Sequence, residues 1–169
     1  MPQGFQDHEF NVPYKALCDK GYTVDVAGLK PGEASGKLGS KFTPNKQLQN
    51  LSNADLDSYD ALVIPGGPGS TTYLWGNKDI QKVAQYFHNK KKIVATICYA
   101  CAVPAQAGLL KGKKATIFPT DEAKKVFTDN DVIFVDHGCE ILHEDKIITA
   151  QGPQFVRQFA HAIISLLEK

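Results

Sequence analysis

Arginine is nearly absent from this chain of 169 residues: of its 19 basic side chains only Arg157 is one, and the rest are lysines. Bidentate recognition of phosphate or carboxylate by guanidinium forks is therefore nearly excluded. An excess of either charge is missing too, because 18 acidic side chains leave a net charge of +1. That removes the electrostatic case for a nucleic-acid or membrane-surface partner. No apolar run approaches the roughly 18 residues that a membrane span needs. The longest near the C-terminus is Ala162 to Leu167. The opening MPQGFQDHEF has no basic stretch leading into an apolar one, so it does not read as a secretory signal, and a cytoplasmic location is expected. Cysteine is sparse: Cys18, Cys98, Cys101 and Cys139 are too few for a secreted disulfide scaffold of this length and are expected as free thiols. Repeats and low-complexity tracts are absent, and no charge run is longer than Lys90 to Lys92.

What is present is alternation. Residues 1–169 are expected to form one domain, which at this size buries roughly 70% of its unfolded surface and has no need of metal or disulfide staples. Residues 7 to 20 read as a helix closed by Gly21, with Phe10, Tyr14, Leu17 and Cys18 on one face and Pro13 tolerable only near its start. Tyr22 to Ala27 alternates as a strand, and residues 28 to 50 suggest a loop or small hairpin. Asp60 to Ile64 and Lys92 to Ile97 read as buried strands. Between them Ile80, Val83, Ala84 and Phe87 mark an amphipathic helix over 78–89. A small-residue helix is expected from Tyr99 to Leu110 and another helix near Asp121 to Phe127. Strand candidates are Ala115 to Phe118, Val132 to Val135 and Lys146 to Thr149, before a last helix, Gln154 to Leu167, with Phe155, Phe159, Ile163 and Leu166 on one stripe. Strands separated by helices predict an α/β fold, a three-layer sandwich around a mostly parallel sheet.

Parallel sheets of this kind bind ligands beyond the carboxyl ends of their strands, where the turns PGGPG (65–69) and ICYAC (97–101) fall. Cys98 sits between the last residue of a strand and the first turn of a helix, where a helix N-terminus and free N–H groups favour a thiolate. A buried cysteine is often only a small hydrophobe, but this position resembles a nucleophile elbow. The N–H groups of Tyr99 and Gly67 would then form an oxyanion hole; the alternative is that the glycines merely form a turn. Cys101 makes a C-x-x-C with Cys98, which leaves two readings open: a redox partner able to resolve a sulfenic acid, or a packing residue beneath the helix. His137, Cys139 and His143 match no closed zinc pattern, and neither metal nor another cofactor is expected. Tyr73, Leu74 and Trp75 suggest an apolar rim.

The segments FQDHEF (5–10), DALVIPGG (60–67), KIVATICYA (92–100) with AQAGLLKGKKAT (105–116), and KIITAQGP (146–153) together resemble the ThiJ/PfpI superfamily over nearly the whole chain. The resemblance implies a flavodoxin-like sheet, Cys98 as nucleophile and Glu9 against its sulfur, the protonated carboxyl lowering the thiol pKa while its own rises. A role for Glu9 and Asp7 as complements to the helix dipole is the alternative. It also implies backbone contacts from Gly66, Gly67 and Tyr99, with Gly152 and Pro153 lining the far side, and a homodimer or larger assembly.

Departures from the family pattern narrow the activity. Tyr99 stands where protease-like members have histidine after the cysteine, so a peptidase lacks its base. Phe118 precedes Pro119 where deglycase-like members often have histidine, and His8 is the nearest replacement by sequence. None of the five histidines is followed by glutamate two residues on, which discards a glutaminase. A buried first strand that the family places centrally in the sheet has no counterpart before FQDHEF, so the pairing is expected from a rearranged segment, from a partner, or from chain preceding Met1. The expected function is a cysteine-dependent glyoxalase or deglycase acting on a small reactive dicarbonyl such as methylglyoxal, or on its adducts. The rival from another class is a peroxide sensor or holding chaperone without turnover.

Overall fold

The computed structural model describes all 169 residues. Helix α1 spans Asp7–Asp19, and the Gln6 side chain caps it by accepting the Glu9 N–H at 3.0 Å. The helix continues through Pro13, which is buried in the middle of it and not near its start. A proline there cannot return a hydrogen bond to the Glu9 carbonyl. The inward side carries Glu9, Phe10, Pro13 and Leu17, whereas Cys18 is exposed. The segment 28–50 holds a short hairpin, Ala34–Ser35 against Lys41–Phe42, and a short parallel pair joins Ala27–Gly28 to Lys46–Gln47.

The main sheet is built from four strands: β1 (Ala61–Ile64), β2 (Ile93–Ile97), β3 (Cys139–Leu142) and β4 (Ile147–Ala150). Their spatial order is β1-β2-β4-β3, with the first two pairings parallel and β4 antiparallel to β3. Helix α2 (Lys78–Asn89) is capped by Asn77, whose side chain accepts the Asp79 and Ile80 N–H groups. Helices α3 (Ala102–Gln106), α4 (Asp121–Asp129) and α5 (Val156–Leu167) complete the layers. On one side of the sheet Val94 and Ile147 pack with Ala84 and Phe87 of α2, Phe127 of α4 and the residues of α3. On the other, Ile93, Ala95, Ile97 and Ile148 pack with Leu17 of α1 and Phe159 and Ile163 of α5. This period-two division of β2 and β4 makes the three-layer sandwich expected from the sequence. No helix is long and apolar enough to cross a membrane.

Several elements differ from their sequence signals. Of Tyr22 to Ala27, patterned as a strand, only Ala27 enters a ladder; the rest is held by single hydrogen bonds, among them the Val26 N–H to Asn45 Oδ1 and the Lys46 N–H to the Val26 carbonyl. Strand β1 is likewise an edge, and its Ala61, Leu62 and Val63 are half-buried where β2 is buried throughout. Tyr59 crosses from the foot of β1 to the unpaired segment, its hydroxyl donating to Asp25 Oδ2 at 2.6 Å. No rearranged segment of these 169 residues pairs with the outer side of β1. The strand candidates around Ala115 and Ile133 shrink to the parallel pair Lys114–Ala115 with Ile133–Phe134. Strand β3 has no counterpart among the sequence signals, since Cys-Glu-Ile-Leu carries little strand pattern outside its pairing with β4.

Candidate active site

The parallel register of β1 with β2 sets Ile64 beside Thr96. Two residues further on, the chain places Gly66 beside Cys98 in the turns that leave the two strands. Gly66 has to be glycine for reasons of space. A Cβ there would stand 2.7 Å from the Cys98 Cβ, 2.6 Å from the Ile97 carbonyl oxygen and 2.8 Å from Glu9 Oε2. These distances also measure how closely strand turn, thiol and carboxylate converge.

Glu9 reaches this point from the first turn of α1. The Gln6 N–H donates to the Gly66 carbonyl at 2.9 Å, and the Gly66 N–H donates to Glu9 Oε2 at 3.0 Å. Glu9 is 1% exposed. Its other oxygen, Oε1, is buried without a hydrogen-bond partner, and the Cys98 side chain acts on the carboxylate. Gly67 takes φ +110°, and a Cβ on it would run into the Gln6 nitrogen and the Gly4 and Phe5 backbone. The turn therefore lies flat against the strip of chain that leads into α1.

Cys98 itself has φ +59°, a left-handed conformation that non-glycine residues seldom adopt and that costs on the order of 1–3 kcal/mol. This is the strained elbow expected from the sequence. It holds the sulfur above the sheet, 5% exposed, with the N–H groups of Gly67 and Tyr99 directed at it. The helix that follows is shorter than its sequence signal: Cys98–Cys101 is a 3-10 turn, α3 ends at Gln106, and Gly108 and Gly112 turn the chain at positive φ. A long helix dipole is thus not what faces the thiol; two individual amides are.

Burial, followed by the charge of Glu9 when ionised, pushes the Cys98 thiol up, and the Gly67 and Tyr99 amides pull the other way. The lowered pKa anticipated from the position alone is therefore opposed by depth. Burial also pushes Glu9 up to about 7, against which the Cys98 and Gly66 hydrogen bonds and the Lys37 charge act. Near neutral pH this carboxyl group therefore holds its proton far more readily than an exposed glutamate does. When it is protonated, no negative charge opposes thiolate formation beside it. The two groups thus form one proton-sharing pair.

Cys101 goes elsewhere. It is fully buried, its sulfur lies 3.5 Å from the Ala150 carbonyl oxygen, and burial pushes its thiol up to about 12. Gly152 and Pro153 follow β4, and a Cβ on Gly152 would stand 3.2 Å from the Phe118 ring. Phe118 packs in turn on Tyr99, at 5.2 Å between ring centroids. Of the apolar rim, Trp75 meets Tyr99 edge-on at 5.9 Å and donates its indole N–H to the Tyr99 carbonyl at 2.8 Å, while Leu74 is buried in the core. His8 is exposed on α1 and is not among the groups that act on Cys98. His137 pairs with Glu140 at 2.6 Å, and Cys139 is buried against Ala150 across the sheet.

Asp7, which its position in the chain suggests only as a dipole complement, is buried and accepts the Leu38 and Ser40 N–H groups at 2.7 Å each. Burial raises its pKa, but those hydrogen bonds outweigh it and hold the group below its usual range. Asp7 so pins the 34–42 hairpin over the start of α1. The one sequence signal for this contact is Gly36: a Cβ there would overlap the Asp7 carboxylate at 2.6 Å.

The same architecture and residue order recur in known proteins. An uncharacterized protein of Methanocaldococcus jannaschii is 37% identical over 168 residues, covering 99% of this chain and 80% of its own. A deglycase of Pyrococcus abyssi is 34% identical over 164 residues, with 97% and 94% of the two chains covered. The crystal structure of a ThiJ/PfpI domain protein from Brachyspira murdochii superposes with a TM-score of 0.88 at 27% identity, over 98% of this chain and 91% of that one. The DJ-1/PfpI family profile matches residues 1–166. With the elbow, the glycine turn and the carboxyl group in the arrangement just described, the chain belongs to the DJ-1/PfpI family.

Proposed function

We propose that the protein is a cysteine-dependent enzyme of the glyoxalase or deglycase kind, acting on small 2-oxoaldehydes or their adducts. Relatives named deglycases, 34% identical in Pyrococcus abyssi and in Thermococcus kodakarensis, support the class. The observation that carries the reading is the contact of Cys98 with a buried carboxyl group that titrates near neutrality, at the tip of two parallel strands. A base for peptide cleavage is not at hand, because Tyr99 follows Cys98 and none of the groups that set its ionisation is an imidazole.

The chemistry follows from the pair. With the proton on Glu9, the Cys98 thiolate adds to the aldehyde carbon of methylglyoxal, and Glu9 gives its proton to the resulting alkoxide, forming a hemithioacetal. Glu9, now ionised, takes the hydrogen from that carbon as a proton. The enediol that results is protonated on the neighbouring carbon, leaving a lactoyl thioester on Cys98. Water hydrolyses the thioester to lactate and the free thiol. The aldehyde carbon is oxidised and the ketone carbon reduced, so no external oxidant or reductant enters. The Gly67 and Tyr99 amides, directed at the sulfur in the resting site, hold the thiolate first and the developing oxyanion beside it afterwards. Lactate release from methylglyoxal by the purified protein, absent from Cys98→Ser, tests the reading. Lactate formation that survives the substitution overturns it.

A further inference from the structure

Beside Cys98 the molecule carries a row of three aromatic rings that the steps above do not use. Tyr99 is its centre. The ring packs on Phe118 at 5.2 Å with planes tilted by 58°, and on Trp75 at 5.9 Å with planes at 75°. All three side chains are half-buried, so each keeps part of its surface open. Tyr99 and Phe118 both pack against the cluster that contains Cys98.

The row is fixed rather than adaptable. The Trp75 indole is tied to the Tyr99 carbonyl, within the same residue whose N–H faces the sulfur. Phe118 is held against Gly152, where a Cβ would already press on the ring at 3.2 Å. Neither Trp75, Tyr99 nor Phe118 is charged, and the one cation that influences the adjoining Glu9, Lys37, lies on the far hairpin. Apart from the Tyr99 hydroxyl, such a wall offers a hydrophilic side group no hydrogen-bonding partner, because the Trp75 N–H is already spent on the Tyr99 carbonyl. A flat apolar one would bury its own surface and meet ring faces and edges at favourable separations.

We propose that Trp75, Tyr99 and Phe118 form the subsite for the substrate's side group, and that they select 2-oxoaldehydes bearing an aromatic substituent over methyl-bearing or hydrophilic ones. This rests on the reading of Cys98 as a carbonyl nucleophile, and deepens it. The reaction balances as before: phenylglyoxal and water give mandelate, the aldehyde carbon oxidised and the ketone carbon reduced.

Two measurements test the subsite. In the first, kcat/KM is compared for phenylglyoxal and methylglyoxal in the wild-type protein, Phe118→Ala and Phe118→Leu. A preference for phenylglyoxal of about tenfold or more is expected from apolar pocket contacts. It should fall toward unity in either variant, mainly through KM, with Phe118→Leu keeping the volume if the alanine variant does not fold. In the second, mandelate is titrated against the fluorescence of Trp75, the only tryptophan, with lactate as control. Saturable quenching by mandelate alone is expected. Turnover of both aldehydes with equal kcat/KM, or a ratio unmoved in the variants, overturns the subsite and leaves the nucleophile in place. Turnover of neither, with mandelate still quenching, overturns the carbonyl reading and keeps the aromatic subsite. Absence of both overturns both.

Discussion

Two thiols stand at the two ends of one 3-10 turn, and their surroundings could hardly differ more. Cys98 is in a left-handed conformation, with two amides and a carboxyl group around its sulfur. Cys101 has ordinary helical angles, and its sulfur rests on the Ala150 carbonyl with no exposure. Both are buried, and burial raises both, so depth does not separate nucleophile from packing residue. What separates them is the company: a positive φ sets one sulfur beside two amides and a carboxyl group, whereas a relaxed turn leaves the other between the Thr96 hydroxyl and the Ala150 carbonyl.

The largest effect expected from this contrast is on turnover. Cys98→Ser should lose activity by a factor on the order of 10³ or more, whereas Cys101→Ser should stay within about threefold, measured as lactate release. Equal losses would mean that the second thiol takes part in chemistry. Glu9→Gln comes next: removing the proton carrier should lower kcat by roughly 10²-fold while the thiol remains. The same variant reads out a pH effect. Glu9 in the fold titrates at about 7, above its ordinary 4.5, so the folded chain holds an extra proton between the two. The stability this contributes is complete below pH 4.5 and is lost as pH rises through 7, amounting to about 3 kcal/mol in all. Urea unfolding across that window should show the wild-type protein losing stability relative to Glu9→Gln, which lacks the slope.

Gly66→Ala should have a smaller effect on rate, about tenfold, together with about 1–3 kcal/mol of destabilisation, because the new methyl group separates Cys98 from Glu9. Matching substitutions near Cys101 offer no such lever. The smallest effect belongs to Cys18, which is exposed. Cys18→Ser should change activity less than about twofold and ΔG of unfolding within about 0.5 kcal/mol. Under iodoacetamide Cys18 should be modified first, and in the Cys18→Ser variant Cys98 should react while Cys101 waits for unfolding.

Much of this site is legible in the sequence because its determinants are local. A strand ending directly in Cys-Tyr-Ala-Cys, and another ending in Pro-Gly-Gly, announce turns at one sheet edge, and the helix over 78–89 shows its face by periodicity alone. Tyr22 to Val26 misleads because alternation measures which side chains face inward, while a strand also needs a neighbouring backbone. Cys18 misleads because the inward face of α1 is chosen by Glu9 and Pro13, which hydrophobic patterning does not count. The roles of Asp7 and Trp75 depend on partners 24 to 33 residues away in the chain, and no spacing rule encodes those contacts.

Among these 169 residues nothing pairs with the outer side of β1, and that has its own consequence for what could join the sheet. Ala-Leu-Val-Ile carries no lysine, proline or bulge to blunt it, and such an edge is a template for main-chain pairing. A strand laid along it, from chain preceding Met1 or from a partner, would gain a full row of main-chain hydrogen bonds, and amide protons directed outward from β1 should then exchange as slowly as those of β2. A lysine in place of Leu62 would guard the edge at little cost to the thiol, which sits beyond the far end of the strand.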